Sequence, residues 1–166
     1  MSASLTIRSN TSPYSSTSIQ LKKSGVSIPS GEYSDPFRFR IWNHFGGSAS
    51  GSSASSVKMT FSTVNASLSA GIMNSGNPPP LLLKQTGAGV SGVVNSTTES
   101  TEKNIGFNTS ENMWKWFSLT VDGYGSSGLN DGVIAIDGWV EFSLRILVPA
   151  NAQSMDWILY LYLHRD

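Results

Sequence analysis

This 166-residue chain contains no cysteine, so its histidines and carboxylates are the side chains best suited to act as metal ligands or as acids and bases. The two histidines, His44 and His164, have no second ligand at a metal-binding spacing. The sequence also lacks the Gly-x-Ser-x-Gly elbow, the phosphate-binding loop and the His-Glu-x-x-His motif. We therefore expect a protein that is not an enzyme, with no catalytic residues, no cofactor and no bound metal.

Two hypotheses for the carboxylates stay open as alternatives. If the fold brought two of Asp122, Asp137 and Glu141 within about 5 to 10 Å of each other, the pair could support glycoside hydrolysis. Asp122, Asn130 and Asp131 could supply oxygen ligands to calcium, although their spacing matches no known calcium loop. Turn formation by the Asp-Gly pairs and a solvated, outward position for Glu141 explain the same residues, and we favour that interpretation.

The positions of the tryptophans relative to the strand pattern indicate a binding surface. In the segments that alternate most clearly, Phe, Leu, Ile and Val fill one phase and tryptophan falls in the other. We predict that these indole rings face away from the core, where they either stack on sugars or become buried between subunits. The predicted interface or sugar-binding residues are Arg38, Arg40, Trp42, Trp114, Trp116 and Trp139.

The elements that would position these residues are β-strands, because apolar side chains recur with a period of two. Residues 37–42, 116–121 and 139–148 alternate in this way. Three Asp-Gly pairs in the last third of the chain predict tight turns between antiparallel strands. We expect an all-β fold, an antiparallel β-sandwich of jelly-roll type with about eight to ten strands and little or no helix.

Domain organisation and loops follow from the same composition. Residues 1–166 are expected to form one β-sandwich domain, with an extended N-terminal arm over residues 1–16. The segment 157–163 is apolar on both faces, so it must be internal, covered or paired with a neighbouring molecule, and we favour an internal strand. Segments 46–56 and 96–103 have compositions typical of flexible loops.

Charge and targeting signals narrow the function classes. The chain has 11 Lys plus Arg and 11 Asp plus Glu, and its charged fraction of 13% is about half of the usual ~25%. Binding of nucleic acid through bulk positive charge is therefore not expected. No apolar stretch is long enough to insert into a membrane, and the first residues do not resemble a signal peptide.

These observations favour a non-enzymatic structural protein that is synthesised in the cytoplasm. We expect it to self-assemble into, or decorate, an extracellular particle such as a virion capsid or a surface filament. Its partners would be copies of itself or another subunit of that particle. The alternative is a carbohydrate-binding lectin or module that binds glycans through exposed tryptophans.

Overall fold

The structure, a computed structural model, describes residues 5–8, 18–43, 54, 57–63, 80–90, 93–96, 101–108, 113–115, 117–118, 134, 136–150 and 157–164. The strands in these ranges are β1 (Leu5–Arg8), β2 (Ser18–Leu21), β3 (Phe37–Asn43), β4 (Lys58–Thr63), β5 (Leu81–Val90), β6 (Val93–Ser96), β7 (Lys103–Ile105), β8 (Phe107–Asn108), β9 (Met113–Trp114), β10 (Phe117–Ser118), β11 (Gly138–Ile146) and β12 (Trp157–His164). These ranges contain no helix, and so none that is long and apolar enough to cross a membrane.

The strands form two main antiparallel sheets. The six-stranded sheet has the order β1-β3-β11-β5-β6, and β7 also pairs with β5. The four-stranded sheet has the order β10-β4-β12-β2, and β8 and β9 form a separate pair. The predicted all-β, antiparallel sandwich without helix is confirmed for the described residues.

Eight of the strands pair in a nested order along the chain. β2 pairs with β12, β3 with β11, β4 with β10, and β5 with β7. Among these eight strands the first pairs with the last, the second with the seventh, the third with the sixth and the fourth with the fifth. Two further contacts, β11 with β5 and β12 with β4, join these pairs into the two sheets. Each sheet therefore combines strands from both halves of the chain.

The core lies where the inner faces of the two sheets meet. Strands β3 and β11 confirm the predicted alternation, because Phe39, Ile41, Phe142 and Leu144 all belong to one buried cluster. Each such side chain stabilises the fold by roughly 1.5 to 3 kcal/mol through removal of apolar surface from water. From the four-stranded sheet the cluster receives Ile19, Leu21, Met59, Phe61, Leu159 and Leu161.

Strand β12 occupies an internal position in the four-stranded sheet. It pairs along one edge with β2 and along the other with β4, so the favoured interpretation of this apolar segment is confirmed. Leu159 and Leu161 lie in the core, whereas Tyr162, on the opposite phase, is 47% exposed. The inner face of β12 is thus apolar because it packs in the core, whereas its outer face is apolar but partly exposed.

Two segments predicted to be flexible contain fixed residues. Ala54, within segment 46–56, is fully buried and exchanges two backbone hydrogen bonds with Ile134 of 2.9 and 2.8 Å. Glu102, within segment 96–103, binds Arg145 through its carboxylate. At these two positions the prediction is wrong, because small or polar composition does not exclude a specific partner far away in the sequence. Most other residues of the two segments lie outside the described ranges.

Strand β5 contains a bulge opposite β11. Phe142 pairs with Gln85 and Glu141 pairs with Gly87, which leaves Thr86 as the extra residue. The Thr86 hydroxyl donates a hydrogen bond of 2.8 Å to Glu141 Oε1. The irregularity in β5 therefore supplies a hydrogen-bond donor to a carboxylate on the neighbouring strand.

Candidate functional site

A row of polar side chains lies on the outer face of the six-stranded sheet, which is the side of β3, β11 and β5 away from the core. Ser143 on β11 is in register with Arg38 on β3 and with Lys84 on β5. Directly paired residues lie on the same face of a sheet, so these three form one row across it. Ser143 is the shortest of the three, and it leaves a trough between two long cationic side chains.

This trough is the floor of a cleft with a volume of about 370 Å³. The cleft is lined by Pro36, Arg38, Lys84, Glu102, Ser143 and Arg145. Three of these residues carry positive charge and one carries negative charge, so the lining has a net positive charge. Volumes of roughly 300 to 1,000 Å³ are typical of small-molecule sites.

Arg145 is held at one side of the cleft by two partners. Its guanidinium donates hydrogen bonds of 2.9 and 2.7 Å to the two carboxylate oxygens of Glu102, and it stacks over the Tyr33 ring at 4.2 Å from the ring centroid. The hydrogen bond to Glu102 raises the pKa of Arg145 above its ordinary value, although burial acts in the opposite direction. Arg145 therefore remains charged throughout the neutral pH range, and its two partners fix the orientation of its side chain.

The other end of the same face carries two tryptophans. Trp42 on β3 and Trp139 on β11 are directly paired, and their ring centroids lie 6.0 Å apart. The Arg40 guanidinium lies 3.7 Å from the centroid of the Trp139 ring, which is a cation–π contact. Both rings are buried, with exposures of 8% for Trp42 and 1% for Trp139.

Glu141 completes this arrangement, and we call Arg40, Trp42, Trp139 and Glu141 the indole cluster. Glu141 is buried, and its carboxylate accepts hydrogen bonds from Arg40 Nε at 3.0 Å and from Thr86. The expected solvated position of Glu141 is therefore wrong, although its outward phase is correct. Charge-assisted hydrogen bonds from two donors offset the cost of removing this carboxylate from water.

The predicted tryptophan surface is corrected in two ways. Trp42 and Trp139 do lie on the face opposite the core, but the prediction that their rings are exposed is wrong. Trp114 belongs to the hydrophobic core, so for this residue the outward phase itself is wrong. Trp116 lies outside the described residues.

Arg38 and Arg40 share the outer face but have different surroundings. Arg38 lines the cleft, and about half of its side chain is exposed. Arg40 packs within the indole cluster, where its side chain is mostly buried. Of the predicted site residues in the described ranges, only Arg38 lies in the open cleft. Arg40, Trp42 and Trp139 are mostly or fully buried on the same face, and Trp114 lies in the core.

Of the six residues that line the cleft, sequence reasoning predicted only Arg38 as a site residue and missed Pro36, Lys84, Glu102, Ser143 and Arg145. The predicted alternation over residues 139–148 already places Ser143 and Arg145 on the same face as Trp139, but it did not single them out as site residues. Lys84 follows three leucines and carries no periodic signal of its own. Its position depends on pairing between β5 and β11, which are far apart in the sequence.

The calcium and hydrolase hypotheses fall largely on residues that the structure does not describe. Asp122, Asn130 and Asp131 lie outside the described ranges. Asp137 forms the predicted turn before β11, with a positive φ of 60°. Within the described part of the chain, no group of three or more His, Asp or Glu side chains is arranged to hold a metal ion.

Comparison of the chain with protein-family models, with curated proteins and with solved structures finds no match.

Proposed function

We propose that this chain is a jelly-roll structural subunit, without enzymatic activity, that self-assembles into an extracellular particle or decorates one. The observation that carries this proposal is the nested pairing of β2 with β12, β3 with β11, β4 with β10, and β5 with β7. An antiparallel ribbon of eight strands that wraps around a core produces this order, and viral capsid and lectin domains use it. A virion capsid or decoration protein is the form of particle that we favour.

A surface for assembly is available on the outer face of the four-stranded sheet. Ile158, Tyr160 and Tyr162 alternate with the buried leucines of β12, and the three side chains range from partly buried to exposed. We call these three residues the β12 stripe. Their neighbours in register are uncharged, namely Ser18 and Gln20 on β2 and Thr60 and Ser62 on β4. Thr60 itself is fully buried and its hydroxyl donates a hydrogen bond to the Trp114 carbonyl, so the accessible part of the surface lies on the stripe itself. A stripe with uncharged immediate neighbours and with tyrosine at its centre has the composition of the buried part of a protein interface.

Zero formal net charge also favours association of identical subunits, since long-range repulsion between copies is small. The partner that fits the β12 stripe is therefore a second copy of this chain or another subunit of the same particle. The proposal includes synthesis in the cytoplasm and location in the assembled particle.

Light scattering coupled to size-exclusion chromatography, followed by electron microscopy, tests this function. We expect the wild-type chain to form oligomers or particles as its concentration rises. Tyr162→Glu places a charge in the contact and should raise the concentration required for assembly at least about tenfold. Tyr162→Phe keeps the ring and serves as the matched control. A chain that stays monomeric at the highest soluble concentration contradicts the proposal, provided that circular dichroism shows it folded.

A carbohydrate-binding module remains the second candidate, and the cleft is the observation that favours it. The form of this hypothesis that uses a tryptophan platform loses support, because stacking on sugars requires an accessible ring face and Trp42, Trp114 and Trp139 are buried. The cleft instead offers hydrogen-bond donors and a carboxylate around a concave floor.

A further inference from the structure

We propose that residues 23–26, which we call the exposed turn, form a second contact between copies of this chain, in which two turns meet about a two-fold axis. The turn lies in the connection from β2 to β3, outside both strands. The inference rests on the proposed function, because a contact between two β12 stripes closes once two copies have joined. Growth into a particle therefore requires a different surface on the same subunit.

The exposed turn presents an apolar side chain to solvent. Val26 is 64% exposed, the largest exposure of any large apolar side chain in the part of the chain that the structure describes. A side-chain carbon added at Gly25 would meet no heavy atom beyond the adjacent residues within 4 Å, so the turn projects into open space. Ser24 and Ser27 are exposed as well, and these short side chains leave Val26 accessible to a partner.

Hydrogen bonds fix the conformation of the exposed turn. Lys23 and Val26 exchange two backbone hydrogen bonds of 2.9 Å, and Ser24 and Gly25 between them have positive φ angles of 49° and 77°. Serine rarely adopts this backbone region. Here its N–H donates a hydrogen bond of 2.6 Å to Asp35 Oδ2, which holds the turn in place. A surface that is already ordered loses less conformational entropy when it binds a partner.

The charges beside Val26 suit a second copy of the same chain. Lys23 forms an ion pair with Glu32, and both side chains remain accessible to solvent. About a two-fold axis, Lys23 of each copy can face Glu32 of the other, so the contact gains two opposite-charge pairs at once. The charges of the connection, from Lys22, Lys23, Glu32 and Asp35, sum to zero, so two identical connections approach without net repulsion.

The Tyr162→Glu background isolates this contact, because it blocks the β12 stripe. Light scattering coupled to size-exclusion chromatography should show a monomer–dimer equilibrium for that variant. Adding Val26→Glu places a charge in the apolar contact and should weaken dimerisation at least about tenfold. Val26→Ile keeps a branched apolar side chain and is the matched control, which should dimerise as the background does.

A charge exchange tests the two-fold geometry in the same background. Lys23→Glu and Glu32→Lys should each abolish the dimer, because like charges then face each other at both ends of the contact. Mixing the two variants should restore it, since one copy then carries carboxylates and the other ammonium groups at both positions. Native mass spectrometry, with one variant isotopically labelled, detects the mixed dimer. An ion pair that acts only within one copy is not restored by mixing, so absence of the mixed dimer overturns the inference.

Val26→Glu in the otherwise unchanged chain keeps the test independent of Tyr162→Glu. This variant should stop at dimers that form through the β12 stripe, and circular dichroism should show it folded because Val26 lies at the surface. If Val26→Glu instead forms particles as readily as the wild type, the inference is overturned and the proposed function stands. If the wild type forms only dimers and Val26→Glu abolishes them, the turn contact is supported and particle assembly is contradicted.

Discussion

The two ends of the outer face of the β3–β11–β5 sheet differ although they belong to the same strands and the same phase. At one end the indole cluster buries two aromatic rings and a carboxylate. At the other end Arg38 and Lys84 border an open cleft, and only the short Ser143 between them is buried. The side of a sheet on which a residue lies is set by its own position in the strand, whereas its exposure is set by whatever packs over that side.

The two ends also differ in how far their ion pairs are exposed to solvent. In the indole cluster, Arg40 and Glu141 are joined at 3.0 Å, and Arg40 also packs on the Trp139 ring. In the cleft, Arg145 and Glu102 are joined at 2.7 Å but remain partly exposed. Water screens the second pair far more than the first, so we expect the two ion pairs to affect stability by different amounts.

The largest effect should come from Trp139→Ala. Removing a fully buried indole from the outer face should lower the free energy of unfolding by about 3 to 5 kcal/mol, as for large aromatic side chains in a core. Urea denaturation followed by circular dichroism measures this change. Arg38→Ala at the open end is the control and should cost less than about 1 kcal/mol. Equal losses for the two variants would mean that the two ends do not differ in packing.

The next effect concerns the charge pair of the indole cluster. Arg40→Met and Glu141→Leu should each cost about 2 to 4 kcal/mol, because each leaves the other charge in a poorly hydrated site. The double variant should cost clearly less than the sum of the two, since no charge is then left without its partner. A double-mutant cycle in urea denaturation measures the coupling, and additive losses would contradict this account of the cluster.

The sequence predicts the sides of β3 and β11 because alternation is a local property. Phe39 and Ile41 against Trp42, and Phe142 against Trp139, appear directly in the residue order. Burial of the tryptophans could not be predicted in this way, because it depends on what packs over the sheet. For Trp114 even the side of the sheet could not be predicted, because strand β9 is only two residues long and shows no alternation.

The strand order and the set of residues that line the cleft could not be predicted either, because both depend on pairing between distant parts of the chain. The pairing of Trp157 with Leu21 joins distant parts of the chain, and no local signal specifies it. Lys84 reaches the cleft through the same kind of long-range pairing. The bulge at Thr86 is a further case, because it is visible only once β5 is aligned with β11.

A smaller effect should come from Thr86→Val. The change removes the hydroxyl that donates to Glu141 while it preserves the shape of the side chain, and the lost hydrogen bond to a buried charge should cost about 1 to 3 kcal/mol. Thr86→Ser keeps the hydroxyl and should lose less stability than the valine variant. Thermal unfolding monitored by circular dichroism compares the two. If serine and valine destabilise equally, the hydroxyl does not support Glu141.

The smallest effect should come from Glu102→Gln at the open end. This change replaces the carboxylate that holds Arg145, but both side chains are partly exposed, so the loss should be no more than about 1 kcal/mol and should shrink further as salt is added. The loss for Glu141→Leu should change little with salt, because water and ions reach the indole cluster poorly. Urea denaturation at low and high salt measures both differences. A salt dependence that is equal at the two ends would show that the indole cluster is as open to solvent as the cleft.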